Sequence, residues 1–208
     1  MMRLRPFARA LGAAFVLAAC VPSWPQEVAP AAAPAVAGSA SQQARALFDS
    51  YWERTARFFP EWATYRGDPR FGDRLNDGSP EADARWYVYL RELRGQLTAL
   101  PREQLAREER LSVDVLLRNI DEELSLEPFP GLRSMNVGAT AFPFQTAFMR
   151  LLEVVPVATE AQARQVLARM RAYPQRMAQQ IARMRAGQAQ GWVPPKAILA
   201  VVVEQLDA

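Results

Sequence analysis

Hydrophobic positions along the chain recur at the helical period from Ser41 onward, and no run alternates at the period of a strand. In QQARALFDSYWERTARFFPEW, the residues Ala44, Leu47, Phe48, Tyr51, Trp52, Thr55, Phe58 and Phe59 fall at the i, i+3, i+4, i+7 spacing of a buried helix face. Ser39 or Ser41 is expected to cap this helix, and Phe59-Pro60 to end it, because proline has no amide hydrogen and clashes with a helical predecessor. Glu61 to Tyr65 predict one more turn before Gly67. Ser79-Pro80 then reads as a cap followed by a first-turn proline, opening a second helix to about Leu97 with Trp86, Leu90, Leu93 and Leu97 on one face.

A third helical segment is expected to restart at Pro101 and to continue through Leu111–Leu126. There Val113, Leu116, Leu117, Ile120 and Leu124 face inward and the acids Asp114, Asp121, Glu122 and Glu123 outward. Glu127 to Gln145 is the one long irregular stretch, with Phe129, Met135, Phe142 and Phe144 set among prolines and glycines. Thr159 and Gln162 have the spacing of a capping box. They open a helix whose apolar positions are Val166, Leu167, Met170, Tyr173, Met177, Ile181 and Met184, with a kink expected at Pro174. Its other face carries Arg164, Arg169, Arg171, Arg176, Arg183 and Arg185, a row that either binds an acidic or anionic surface or is completed by acidic helices of the same protein. Gly191 to Pro195 turns the chain into a last apolar helix, Ala197 to Leu206, whose Ile198, Leu199, Val202 and Leu206 have no partner in the pattern. This predicts that the domain continues past Ala208. The fold class expected is all-α, a multi-helix scaffold with long irregular loops.

The first forty residues follow different rules. Residues 1–19 combine Arg3, Arg5 and Arg9 with an apolar run from Ala10 to Ala19, the layout of a secretory signal and far short of the roughly 20 apolar residues of a stable span. Leu17-Ala18-Ala19-Cys20 resembles the bacterial lipobox, which implies cleavage before Cys20, lipidation of Cys20 and a lasting membrane anchor. An ordinary signal cut near Ala19 would leave Cys20 a bystander. Val21, where an aspartate is absent, resembles lipoproteins sorted to an outer membrane, so the expected location is the periplasmic side of that membrane. Residues 21 to 40, rich in proline and alanine and almost uncharged, read as an extended tether of roughly 3 Å per residue. The helical domain is expected over 41–208.

Charge and chemistry narrow the functions. The net charge of +3 is carried by the three signal arginines, and without residues 1–19 the chain has 22 basic and 22 acidic side chains. No electrostatic footprint for nucleic acid remains. The sequence contains no histidine, the commonest general base and a frequent zinc ligand. Cys20 is its one cysteine, so neither an internal disulfide nor a cysteine metal site can form. In the polar stretch 67–80, Asp73, Leu75, Asp77 and Gly78 approach a calcium-loop spacing. A leucine at the third position and Ala84 at the twelfth break it. Asp68, Asp73 and Asp77 could converge on a cation or could cap turns and pair with Arg66, Arg70 and Arg74. No catalytic, cofactor-binding or metal-ligating residue is therefore assigned.

The stretches Pro60–Ser79 (PEWATYRGDPRFGDRLNDGS), Leu111–Leu116 (LSVDVL) and Gln190–Ala197 (QGWVPPKA), in this order, resemble the N-terminal third of the bacterial family called domain of unknown function 885. The resemblance covers about residues 45–206 and rests on the order and spacing of these stretches. It implies a helical zinc metallopeptidase-like protein whose His-Glu and glutamate ligands lie downstream of this region, so none of them maps onto this chain. It further implies that these helices are scaffold along one wall of a cleft, that the missing C-terminal part of the same chain is a partner, that zinc belongs to that part, and that the substrate is a peptide. The alternative from the residues alone is a non-catalytic helical lipoprotein module that binds a protein or anionic surface through 160–187 or 127–145.

Overall fold

A computed structural model describes residues 39–135 and 144–207 of the chain, all within one compact unit, Val36–Ala208. Among the described residues the chain forms seven α-helices and no strand: α1 Ser39–Phe58, α2 Pro60–Tyr65, α3 Pro80–Thr98, α4 Arg107–Ser125, α5 Phe144–Val154, α6 Glu160–Ala189 and α7 Lys196–Asp207. Short 3-10 turns occupy Pro69–Phe71, Arg102–Gln104 and Pro130–Met135. The all-α expectation holds.

Helices α1, α3 and α4 pack against one another around the main core, which contains Ala44, Trp86, Leu90, Leu93, Leu97, Val113 and Ile120. Trp86 is its aromatic centre, stacked on Phe58 at 4.7 Å and met edge-on by Phe59 at 5.1 Å. Both phenylalanines stand at the α1–α2 junction, so the proline break fixes where the bundle's largest side chains meet. Gly67, with φ of 78°, turns the chain out of α2 in the left-handed region that favours glycine. A smaller cluster of Ala56, Ala63 and Phe71, with Trp62 against it, anchors α2 and the Pro69–Phe71 turn to α1. Helix α5 packs on α2 and α7, and α6 packs most extensively on the Pro130–Met135 turn.

Caps and boundaries follow local chemistry. The Ser79 hydroxyl accepts from the Ala82 amide, and Pro80 is the first residue of α3. Thr159 and Gln162 form the expected capping box. Two boundaries differ from expectation at α1 and α4. Helix α1 begins at Ser39, and Ser41 lies inside it, where its hydroxyl donates to Glu109 Oε2 at 2.6 Å instead of capping. The same carboxylate accepts from the Ala106 amide at the start of α4 and from Arg45, so it staples α1 to α4. The segment after Pro101 is a 3-10 turn separate from α4, because Leu105 and Ala106 adopt extended backbone between them. Phe144 and Gln145 belong to α5 and not to a loop; Ala147, Phe148, Leu151 and Leu152 provide the helical spacing that supports it. Phe142 and the rest of 136–143 lie outside the described residues.

Pro174 lies inside α6, and the largest difference from expectation concerns which face of this helix turns inward. Its buried residues are Arg169, Gln180 and Gly187, while Leu167, Met170 and Ile181 are exposed. The polar face points inward.

Candidate functional site

After α2 and the Pro69–Phe71 turn, segment 60–79 makes few backbone hydrogen bonds of its own, and the Arg74 and Gly78 carbonyls accept none from it, so they need donors from elsewhere. Helix α6 supplies them. Arg169, 0% exposed, donates from Nε to the Arg74 carbonyl at 2.8 Å and from Nη2 to Thr64 Oγ1 at 2.6 Å and to the carbonyls of Pro60 and Phe71 at 3.3 Å each. Gln165 donates to the Pro69 carbonyl, and Gln179 bridges the Gly78 amide and Asp77 Oδ1, each at 2.9 Å. Arg183 donates to the Gly78 carbonyl and, at 2.7 Å, to Asp83 on α3. Seven-residue spacing places Arg169, Arg176 and Arg183 on one side of the helix.

The network continues past α6. Asp83 also accepts from Arg133, which in turn donates to Tyr87 Oη at 3.1 Å and to Glu123 on α4 at 2.8 Å. Arg183, Asp83, Arg133 and Glu123 thus join α6, α3, the Pro130–Met135 turn and α4 in one chain of alternating charge. Burial pulls the Arg169 and Arg176 guanidinium groups below their ordinary pKa, and the charge of Glu61 opposes this at both. Glu61 is itself held by Asn76, accepting its amide at 2.9 Å and donating its own amide to Asn76 Oδ1 at 3.3 Å. Arg169 leaves one buried nitrogen, Nη1, without a hydrogen-bond partner among the described residues, and Arg176 leaves two. Its Nε and Nη1 have no hydrogen-bond partner among the described residues, and its guanidinium lies 4.8 Å from the centre of the Phe144 ring.

Two cavities flank this network. One of about 580 Å³ opens between α1, α3 and α4, with Phe59, Trp86 and Ile120 among its apolar walls and Tyr51, Thr55 and Glu123 among its polar ones. Burial pushes the Tyr51 phenol above its ordinary pKa. The nearby Thr55 hydroxyl counters this, yet Thr55 Oγ1 meets no partner at full hydrogen-bonding geometry among the described residues. A neutral phenol, a hydroxyl and an arginine-bound carboxylate can hold a ligand but do not form a nucleophile with its base. The second cavity, about 500 Å³, lies between Ser79-Pro80, Pro130-Gly131 and α6.

A family profile described as "Bacterial protein of unknown function (DUF885)" matches residues 60–208, a span that takes in the whole arginine-held segment and α6. The chain belongs to the DUF885 family. No curated protein matches it. Within this DUF885 domain the aspartates of the polar stretch do not converge. Asp68 caps the Pro69–Phe71 turn and grips Arg70, Asp73 pairs with Arg74, and Asp77 serves Ser79, Arg85 and Gln179. Among the described residues no group of three or more histidine, cysteine, aspartate or glutamate side chains could hold a metal ion. The acids Asp114 and Asp121 of α4 pair singly with Arg102 and Arg94 at its surface. Cys20 lies outside the described residues.

Of the six α6 arginines placed together by the sequence, three are drawn inward and Arg164, Arg171 and Arg185 stay exposed. The sequence reading missed this division. Its signal was the seven-residue spacing of Arg169, Arg176 and Arg183, together with Gln165 and Gln180 on the same side.

Proposed function

We propose that this DUF885 domain is the helical scaffold of an exported, membrane-anchored, zinc-dependent peptidase-like lipoprotein and has no catalytic role by itself. The observation that carries the reading is the use of the polar side chains in the centre of the domain. Arg169, Gln179, Arg183 and Asp83 are spent on backbone carbonyls, amides and each other, which is the work of a structural clamp. Zinc does not fit the residues present: the sequence has no histidine or second cysteine, and the Asp83 and Glu123 carboxylates of the network are engaged with Arg133 and Arg183. On this reading zinc and a peptide substrate are bound by residues outside this domain.

Purified protein of residues 1–208 tests this by metal analysis and a peptidase assay. The scaffold reading expects no stoichiometric zinc and no hydrolysis of a mixed peptide library; stoichiometric zinc together with hydrolysis overturns it. Anchoring is tested separately through Cys20. Labelled palmitate fed to a bacterial host should enter the protein, and Cys20→Ala should abolish the label and release the protein from the membrane fraction. Unchanged labelling in Cys20→Ala would remove the lipoprotein assignment.

The alternative is a non-catalytic module that binds a partner through α6. The exposure of Leu167, Met170 and Ile181 favours a protein partner over an anionic lipid surface, since three of the six arginines are drawn into the fold.

A further inference from the structure

Helix α6 carries two rows at alternating spacings of three and four residues, the spacing of a coiled-coil seam. The inward row, Arg169, Tyr173, Arg176, Gln180, Arg183 and Gly187, packs within this domain. The outward row is Leu167, Met170, Pro174, Met177, Ile181 and Met184, and Leu167, Met170 and Ile181 remain 49%, 50% and 43% exposed. It spans about 25 Å at the rise of an α-helix. At its end a groove of about 300 Å³, walled by Ile181, Met184, Trp192, Val193 and Leu199, has room for a large side chain. Beside the row, at seven-residue spacing, stand Arg164, Arg171, Ala178 and Arg185, three arginines and one small residue. Arg164 is paired with Glu160, while Arg171 and Arg185 are exposed and in no ion pair among the described residues.

We infer that the outward face of α6 is the docking surface for a protein α-helix that has an apolar seam and is flanked by aspartate or glutamate. A seam of side chains spaced three and four apart accepts the matching seam of another helix, and charges beside the seam select the partner. The arginine flank asks for acids. A second copy of this chain docked through α6 in antiparallel two-fold symmetry would set arginine against arginine across the seam. A parallel pair would need the flank holding Tyr173 and Gln180, which faces the interior. A lipid surface prefers a face wider than this single row, which Pro174 interrupts.

The inference deepens the scaffold reading by naming what the scaffold holds, and it is tested independently of zinc content and hydrolysis. Two fluorescein-labelled peptides of 25 residues, with leucine along the seam and either glutamate or lysine beside it, are titrated with the full chain and followed by anisotropy. The glutamate peptide should bind about tenfold more tightly than the lysine peptide. Arg171→Glu with Arg185→Glu should reverse that order, and Leu167→Asp with Ile181→Asp should abolish binding while circular dichroism stays helical. Equal binding of both peptides, or unchanged binding by the Leu167/Ile181 variant, overturns the inference. So does a dimer in sedimentation, or adsorption to phosphatidylglycerol vesicles, that the same variant removes.

Discussion

Arg169 and Arg176 stand seven residues apart on the same side of the same helix, and their surroundings give opposite expectations. The Arg169 guanidinium satisfies three carbonyls and the Thr64 hydroxyl, so Arg169→Met leaves the Pro60, Phe71 and Arg74 carbonyls without that donor. The expected loss is about 3 kcal/mol, measured as a shift of the urea midpoint at constant slope. Arg176 keeps two buried nitrogens without partners, and burial works against its charge. Arg176→Met should therefore change stability by less than about 1 kcal/mol or raise it, because an apolar chain of similar length keeps the contact with Phe144 and removes unpaired donors. Equal losses in the two variants would show that charge and not hydrogen bonding holds the segment. The identity of these two residues was plain in the sequence. Their inequality was not, since it depends on carbonyls about 100 positions away.

At the scale of elements, α6 is held by caps and by close approach. The Thr159 hydroxyl accepts from the Gln162 amide, and Thr159→Ala should cost about 1 kcal/mol of stability. This cap was legible from spacing alone because capping is local. Gly187 is a different case. A Cβ there would stand 2.1 Å from Ser134 Oγ and 2.5 Å from Ser134 Cβ, so the helix touches the Pro130–Met135 turn where glycine leaves room. Gly187→Ala should push Ser134 out of its hydrogen bond to the Gly131 carbonyl and lower stability by about 1–3 kcal/mol, read in thermal or urea unfolding. If Gly187→Ala is neutral or stabilising, as an exposed helical glycine would be, the turn is not seated on α6 in solution. Pairing between α6 and this turn joins segments about 50 residues apart, and no periodicity within either reveals it.

For the whole molecule, titration sets the limits of stability on both sides. Burial raises the pKa of Tyr51, Tyr65 and Tyr89 above the ordinary 10.0. The folded chain holds these protons more tightly than the unfolded one, so the contribution of these phenols to stability is constant below about pH 10 and is lost above it. On the acid side, hydrogen bonds from Arg70 hold Glu53 and Asp68 below the ordinary carboxylate range, and the Ser41 hydroxyl does the same for Glu109. Stability from these groups is present above about pH 4 and is lost as pH falls through their folded values. Urea midpoints across pH 3 to 11 should trace a plateau with a decline at each end. A midpoint that rises from pH 9 to pH 11 would contradict the burial of the phenols.

The sequence by itself determined α1 to α4, α6 and α7 to within a few residues at their ends, because hydrophobic period, proline breaks and side-chain caps act locally, but it did not show α5. It also determined which class of site the chain lacks the residues for, since histidine is absent and cysteine single. It could not determine which face of α6 turns inward. By local hydrophobicity the row from Leu167 to Met184 belonged in the core, yet Arg169 is fully buried there and Leu167 is half exposed. Only the tertiary structure decides this, because segment 60–79 brings to the same place the Arg74 and Gly78 carbonyls, which accept no backbone hydrogen bond from the segment itself. Burying those two carbonyls without a donor costs more than leaving a few methionines and leucines half wet.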